Sequence, residues 1–219
     1  MATRDFLSDV IADWNGSDRP QTVIESVGGV DAARRVQDGE PFDVVVLARD
    51  AIDRLMAAGR LVEHTTTDLV RSNVAIAVRQ GAPRPPIHDA DALKQAVLAA
   101  PSLAYSSGPS GRALQRLLAD WGIADQIADR IIQVPPGVPV GALLASGKVS
   151  LGFQQFSELL HVHGIEVLGP MPPGLEIVTT FSGAVCATSA RAEPARAFLH
   201  FIRSSAADAA RARHGMQTA

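Results

Sequence analysis

The stretch Asp38-Gly39-Glu40-Pro41-Phe42-Asp43-Val44-Val45-Val46-Leu47-Ala48 decides the fold. Residues 42–47 form an almost unbroken apolar run of strand length, the pattern of a strand covered on both faces in a parallel sheet. Asp50 then stands where it can cap a helix that turns Ile52, Leu55 and Met56 inward. On the other side, residues 30–37 predict a helix with Ala32, Ala33 and Val36 inward, entered through the turn Gly28-Gly29. Residues 22–27 are rich in β-branched side chains and predict a strand. Before them, Phe6, Leu7, Val10, Ile11 and Trp14 recur at three and four, so the chain opens on an amphipathic helix.

Downstream the alternation continues. Residues 74–78 predict a strand, and Gln80-Gly81-Ala82-Pro83-Arg84-Pro85-Pro86, the densest Pro/Gly segment, reads as a boundary between lobes. A helix over 89–98 leads to a strand at 102–105, and Ser106-Ser107-Gly108-Pro109-Ser110-Gly111 opens a helix running to Trp121. A strand at 131–134, the turn Pro135-Pro136-Gly137, a helix over 140–145 and a strand at 150–153 ending in Gln154-Gln155 follow. Further strands are expected at 165–168, 177–180 and 181–188, and helices at 194–203 and 206–213. Strand-then-helix order predicts an α/β protein of two lobes, each a mostly parallel sheet with flanking helices, with a ligand cleft between them. Lobe 1 is expected to comprise 1–80 with 182–219 and lobe 2 to comprise 81–181, with a hinge near 80 and 181.

Composition narrows the function. Of 219 residues, 47% are hydrophobic and 20% charged, enough to bury a core, and 20 basic against 23 acidic side chains leave a net charge of −3. No basic field for nucleic acid exists, so any anion must be held locally. A single cysteine, Cys186, excludes an intrachain disulfide framework and reads as an inert core thiol. No apolar run approaches the ~20 residues of a membrane span. No secretory leader follows Met1, which points to a cytoplasmic protein if that start is real and to a periplasmic one if the N-terminus is truncated.

Three places share one arrangement, a strand, a small-residue loop and a helix start: Gly28-Gly29, Ser106 to Gly111, and Gly137-Val138-Pro139-Val140-Gly141. Each offers backbone N–H groups at the positive end of a helix dipole, a local anion holder. The middle loop is richest, because Ser106, Ser107 and Ser110 add hydroxyls and Pro109 pre-sets the first helical turn. Such loops are also ordinary βα turns, and only their recurrence raises them above that reading. The amides of Gln154 and Gln155 can meet a bound oxygen ligand or simply start a helix facing water. Arg112 can pair with a carboxylate or phosphate, or be a solvated helix arginine. His161 and His163, with only Glu158 nearby, fall short of a metal site, and no cofactor or common catalytic motif is present.

The chain resembles the solute-binding proteins of the molybdate ABC-transporter type, which have the type II periplasmic-binding fold. The resemblance rests on residues 25–36 (ESVGGVDAARRV), 37–48, 55–59, 72–78 (SNVAIAV), Gly108 to Gly111, Gly141 to Leu144, Leu151-Gly152-Phe153, and the tail around Phe198 to Phe201 and His214-Gly215-Met216. It implies a clamp that closes on a small oxyanion through helix N-termini and hydroxyls, with contacts at Gly28 or Gly29, Ser110, Pro139 and Gln155. Departures matter: glycines stand where such binders carry a serine, Gln155 where many carry a tyrosine, and Pro139 lacks an amide donor. The pocket is therefore expected to prefer an organic carboxylate to molybdate. Family members also begin with a central strand of the first lobe, which is missing here, implying an upstream start or a rearranged sheet.

The leading expectation is a solute-binding protein with an ABC permease as partner. The alternatives are a cytoplasmic isomerase or tautomerase acting on a small organic acid, and a ligand sensor. Glu25, Asp31, Tyr105 and Glu158 are the nearest acids and bases to the loops, and none stands out from sequence, which favours binding over catalysis.

Overall fold

A computed structural model describes residues 2–135 and 137–219. Met1 and Pro136, the latter within the third loop, lie outside the described residues. In chain order the elements are α1 (Arg4–Asn15), α2 (Gly29–Gln37), β1 (Val44–Ala48), α3 (Arg49–Ala57), β2 (Thr67–Arg79), α4 (Ala90–Ala99), β3 (Leu103–Ser106), α5 (Pro109–Asp120), α6 (Ala124–Ile127), β4 (Ile131–Val134), α7 (Val140–Ala145), β5 (Leu151–Gln155), α8 (Phe156–Leu159), β6 (Ile165–Pro170), β7 (Val178–Val185), α9 (Ala192–Arg203), α10 (Asp208–Arg213) and β8 (Gln217–Thr218). The chain folds into two compact units, residues 1–72 with 179–219 and residues 73–178. Both changes of unit fall in or beside long strands, β2 and β7, whereas the Pro-rich segment after Arg79 is a loop inside the second unit.

In the first unit the strand order is β1-β7-β2-β8, and the β1/β7 and β2/β8 pairs are antiparallel. The valine run therefore does lie in a covered strand, but its partner is the returning β7, with Val45 opposite Ala184. Alternate faces of β1 feed two cores. Val45 and Leu47 pack with Val36, Ile52, Leu55 and Cys186, while Val44 and Val46 meet the core built by Phe6, Val10, Trp14, Phe198, Leu199 and Ile202. The stripe of α1 is buried throughout, as its spacing requires.

Three expectations for this unit are corrected. Residues 22–27 form no strand. The Asn15 side chain takes both backbone groups of Thr22, donating to its carbonyl at 2.9 Å and accepting its N–H at 2.8 Å, so a side-chain amide stands in for a strand partner. Asp50 does not cap α3; the N-cap is Ala48, and Asp50 pairs instead with Arg54 one turn on. The strands expected at 177–180 and 181–188 are one strand, β7, with Cys186 just beyond it bridged to Leu61.

In the second unit the sheet runs β6-β2-β5-β3-β4. β3 is parallel to both β4 and β5, while β2 is antiparallel to β5 and β6. One face carries Val74, Ile76, Leu103, Tyr105, Leu114, Leu118 and Phe153, and the other Ala75, Ala77, Ala104, Val140, Leu144 and Leu159. Asp89 caps α4 by accepting the N–H of Ala92 at 2.8 Å. The small residues on the second face have a packing reason: a Cβ on Gly152 would come within 2.7 Å of Val140 and Leu144, so α7 lies close against the sheet.

Candidate functional site

Parallel pairing fixes where the second unit can bind. Ser106 stands opposite Val134, and Tyr105 opposite Phe153, so β3, β4 and β5 end at one edge. The loops leaving that edge are Ser107-Gly108, residues 135–139, and the junction of Gln155 with α8. Ligands of parallel α/β sheets bind outside such carboxyl ends.

The serine loop retains its expected character. Gly108 is the N-cap of α5 and Pro109 its first residue, so the first-turn amides of Ser110 and Gly111 have no acceptor within the helix. The hydroxyl oxygens of Ser106 and Ser110 lie 3.3 Å apart. Gly111 is sterically obligatory: a Cβ there would sit 1.6 Å from the Ser106 carbonyl oxygen. That approach brings the dipole end of a 12-residue helix onto the strand terminus. Ser107 spends its N–H on the Val134 carbonyl at 3.2 Å, leaving its hydroxyl for other work.

The third loop is different. The Val138 N–H donates to Pro135 at 3.2 Å, Pro139 has none, and the Val140 N–H donates to Gln154 Oε1 at 2.9 Å. Gln154 is therefore no solvated helix start. It is 2% exposed, lies within β5 and holds the start of α7. Gln155 is also buried, paired in register with Val74. Arg112 lies exposed on α5, and His161 and His163 are exposed beyond α8. Among the described residues no group of three side chains could hold a metal ion, and no helix is long and apolar enough to cross a membrane.

Sequence reasoning passed over how Glu158 is held. Glu158 stands one turn beyond Gln154, half-buried in α8. Burial pushes that carboxyl above its ordinary range.

In the first unit, Gly28 caps α2 and Gly29 begins it beside the end of β1; a Cβ on Gly29 would meet Leu47 at an ordinary 3.8 Å. At the same end of β1, Arg49 donates to Asp53 at 2.8 Å and to Asp68 at 3.0 Å, and Ser182 donates to Asp68 at 2.6 Å. Burial alone would raise the Asp68 carboxyl, but the hydrogen bonds from Ser182 and Arg49 outweigh it and hold the group below its usual range. No residue spacing advertised this cluster, because its members come from α3, β2 and β7. Cys186 is as inert as expected, with burial, and then the nearby Asp43, pushing its thiol up to about 12.

Comparison with known proteins agrees with this architecture. Residues 1–217 match the family model described as bacterial extracellular solute-binding protein. The chain is 39% identical over 204 residues to an aconitate isomerase from Pseudomonas sp, covering 93% of this chain and 74% of that protein. Among solved structures, the periplasmic molybdate-binding protein of Azotobacter vinelandii superposes with a TM-score of 0.79 at 17% identity, over 98% of this chain and 95% of that one. The sulfate-binding protein SubI of Mycobacterium tuberculosis gives 0.77 at 24% identity, over 97% and 82%. With the type II periplasmic-binding fold that these structures share, the chain belongs to the bacterial extracellular solute-binding protein family.

Proposed function

We propose that the protein is a receptor for a small organic carboxylate and that it serves an ABC transporter. The observation that carries this reading is the N-terminus of α5, where two serine hydroxyls 3.3 Å apart and the amides of Ser110 and Gly111 converge without a buried countercharge. Such a set suits a planar carboxylate. Tetrahedral oxyanions ask for more donors, and the third loop has spent the amides of Val138 and Val140 on the protein itself. The ligand contacts in the second unit are Ser106, Ser107, Gly108, Ser110 and Gly111, with Gln155 beside them; taken by itself, the first unit offers the Gly28-Gly29 start of α2. Val138, Pro139 and Gln154 take structural roles.

Isothermal titration with citrate, cis- and trans-aconitate, molybdate, tungstate and sulfate tests the reading. The expected result is binding of an organic acid, weakened roughly 10-fold or more by Ser110→Ala, since a hydrogen bond to a charged group contributes about 1.5 to 3 kcal/mol. Tight molybdate or tungstate binding with no response to the organic acids would overturn it.

A second reading is favoured by one specific observation, the 39% identity to an aconitate isomerase along 93% of the chain. In it the same site isomerises an unsaturated polycarboxylate. Conversion of cis- into trans-aconitate, followed by proton NMR, separates the two readings.

A further inference from the structure

β1 has the composition of an inner strand and the place of an edge one. Val44 to Ala48 carry no charge, proline or glycine, the devices that usually blunt a sheet edge. Cores cover both of its faces, yet among the described residues its neighbour in the sheet is β7 alone. The hydrogen bonds show which backbone groups are left over. The Val185 N–H donates to Thr65 Oγ1 at 3.1 Å and its carbonyl accepts the Val62 N–H at 2.9 Å, so both point away from Val44, which stands opposite. One place along, the Cys186 N–H donates to the Asp43 carbonyl at 3.0 Å. Facing and averted residues alternate along an antiparallel pair, so Val44 and Val46 turn N–H and C=O to the open edge. No described residue meets those groups there.

We infer that this edge pairs with the same edge of a second copy, β1 against β1, antiparallel about a twofold axis. Charge complementarity names the occupant. With Val46 on the axis, Val44 faces Ala48 of the second copy, Val45 faces Leu47, and Asp43 faces Arg49 at both ends. Sliding one copy to the next register in either direction sets Asp43 against Leu47 or Arg49 against Val45, so the charges select one register. Both groups have capacity for the contact. The Asp43 carboxylate accepts the Ser189 hydroxyl on Oδ1 at 2.6 Å, and Arg49 donates from Nε to Asp53 and from Nη1 to Asp68, which leaves Oδ2 and Nη2. Exposed apolar surface on the neighbouring segment agrees. Val23, Val27 and Val30 are 90%, 37% and 65% exposed, on the stretch that brings Ile24 into the core of Val44 and Val46 and sets Gly29 beside Leu47. A second copy laid along the edge supplies cover for it.

In that pairing the Val46 N–H of each copy donates to the Val46 carbonyl of the other, and each Ala48 N–H donates to the other copy's Val44 carbonyl. The sheet of the first unit then runs on from one copy into the next, and the valine strand becomes the inner strand that its composition describes. The inference uses the first unit alone and stands apart from the ligand reading.

Sedimentation velocity of the full chain, from low to high micromolar concentration, tests this, with hydrogen exchange of the peptide spanning residues 43–49 read by mass spectrometry. The expected result is a monomer–dimer equilibrium of 23.0 kDa protomers, with that peptide exchanging slowly in concentrated protein and faster on dilution. Arg49→Asp should raise the dimer Kd roughly 10-fold or more, because it sets two carboxylates opposite each other at both ends of the pairing. Asp43→Arg should do the same with two cations. Asp43→Arg combined with Arg49→Asp should recover most of the wild-type affinity, a rescue that loss of either residue's contacts within its own copy would not give. Val46→Pro removes an outward N–H and should leave a monomer; if it does not fold, the charge exchange carries the test. A wild type that stays monomeric throughout overturns the inference. So does a dimer that both charge reversals leave unchanged while the 43–49 peptide exchanges fast, since its contact lies on another face. A native protein that is longer at its N-terminus and monomeric, with the same peptide protected, would give the edge to a preceding segment of its own chain and overturn the second copy as occupant.

Discussion

Replacing Gly111 by alanine tests the claim that α5 is held against the end of β3 by the absence of one methyl group. The new Cβ would lie 1.6 Å from the Ser106 carbonyl oxygen, 2.8 Å from its carbon and 3.1 Å from the Tyr105 ring. Non-bonded contacts below about 3.0 Å are essentially never tolerated, so the helix start must back away by about 1.4 Å. Overpacking costs about 1 to 3 kcal/mol where side chains can adjust. Here the obstacle is backbone inside a sheet, and Leu114 and Leu118, both nearly fully buried, anchor the helix below it. The expected destabilisation is therefore about 3 kcal/mol, a fall in Tm of roughly 6 to 12 °C for a chain of this size. Gly29→Ala is the control, because its Cβ would meet Leu47 at an ordinary 3.8 Å and should change stability by no more than about 1 kcal/mol. Thermal unfolding of the two variants beside the wild type reads the difference. A Gly111→Ala protein that melts with the wild type would refute the close approach.

Further outcomes follow from particular contacts. Asn15→Ala removes both bonds to Thr22 and should cost roughly 1 to 3 kcal/mol in urea unfolding, while Asn15→Asp, keeping the acceptor, should cost less; equal losses would contradict the paired amide. The Asp9 carboxyl is held below its usual range by the hydrogen bond from His214, with burial opposing and Arg213 assisting. Its contribution is thus complete above the ordinary carboxylate range and lost as pH falls through the depressed value, so the stability gap between wild type and Asp9→Asn should shrink on acidification. A gap constant from neutral into acid would refute the assignment. Cys186, 1% exposed with its thiol pushed up to about 12, should ignore an aromatic disulfide reagent until the protein is denatured, and prompt labelling of the native protein would place it elsewhere.

What was legible in the sequence was local. The α1 stripe, the β1 valine run, the 140–145 helix and the serine loop each carry their own periodicity or turn chemistry, and each stands where those signals put it. Residues 22–27 carried an equally good strand signal, but a strand also needs a neighbour for its backbone, and the Asn15 amide supplied one first. Strand direction was equally hidden, because Val44 to Ala48 buries the same faces whether its partner runs parallel or, as β7 does, antiparallel. The site divides along the same line. Sequence alone determined the family, the glycine–serine loop and the scarcity of charge around it. Only tertiary structure decided that Gln154 holds the start of α7, that Gly111 cannot be anything else, and that Arg49, Asp68 and Ser182 meet. Those facts depend on how one element is placed against another, a strand end against the next helix or strands and helices far apart in the chain, which no single-segment pattern encodes.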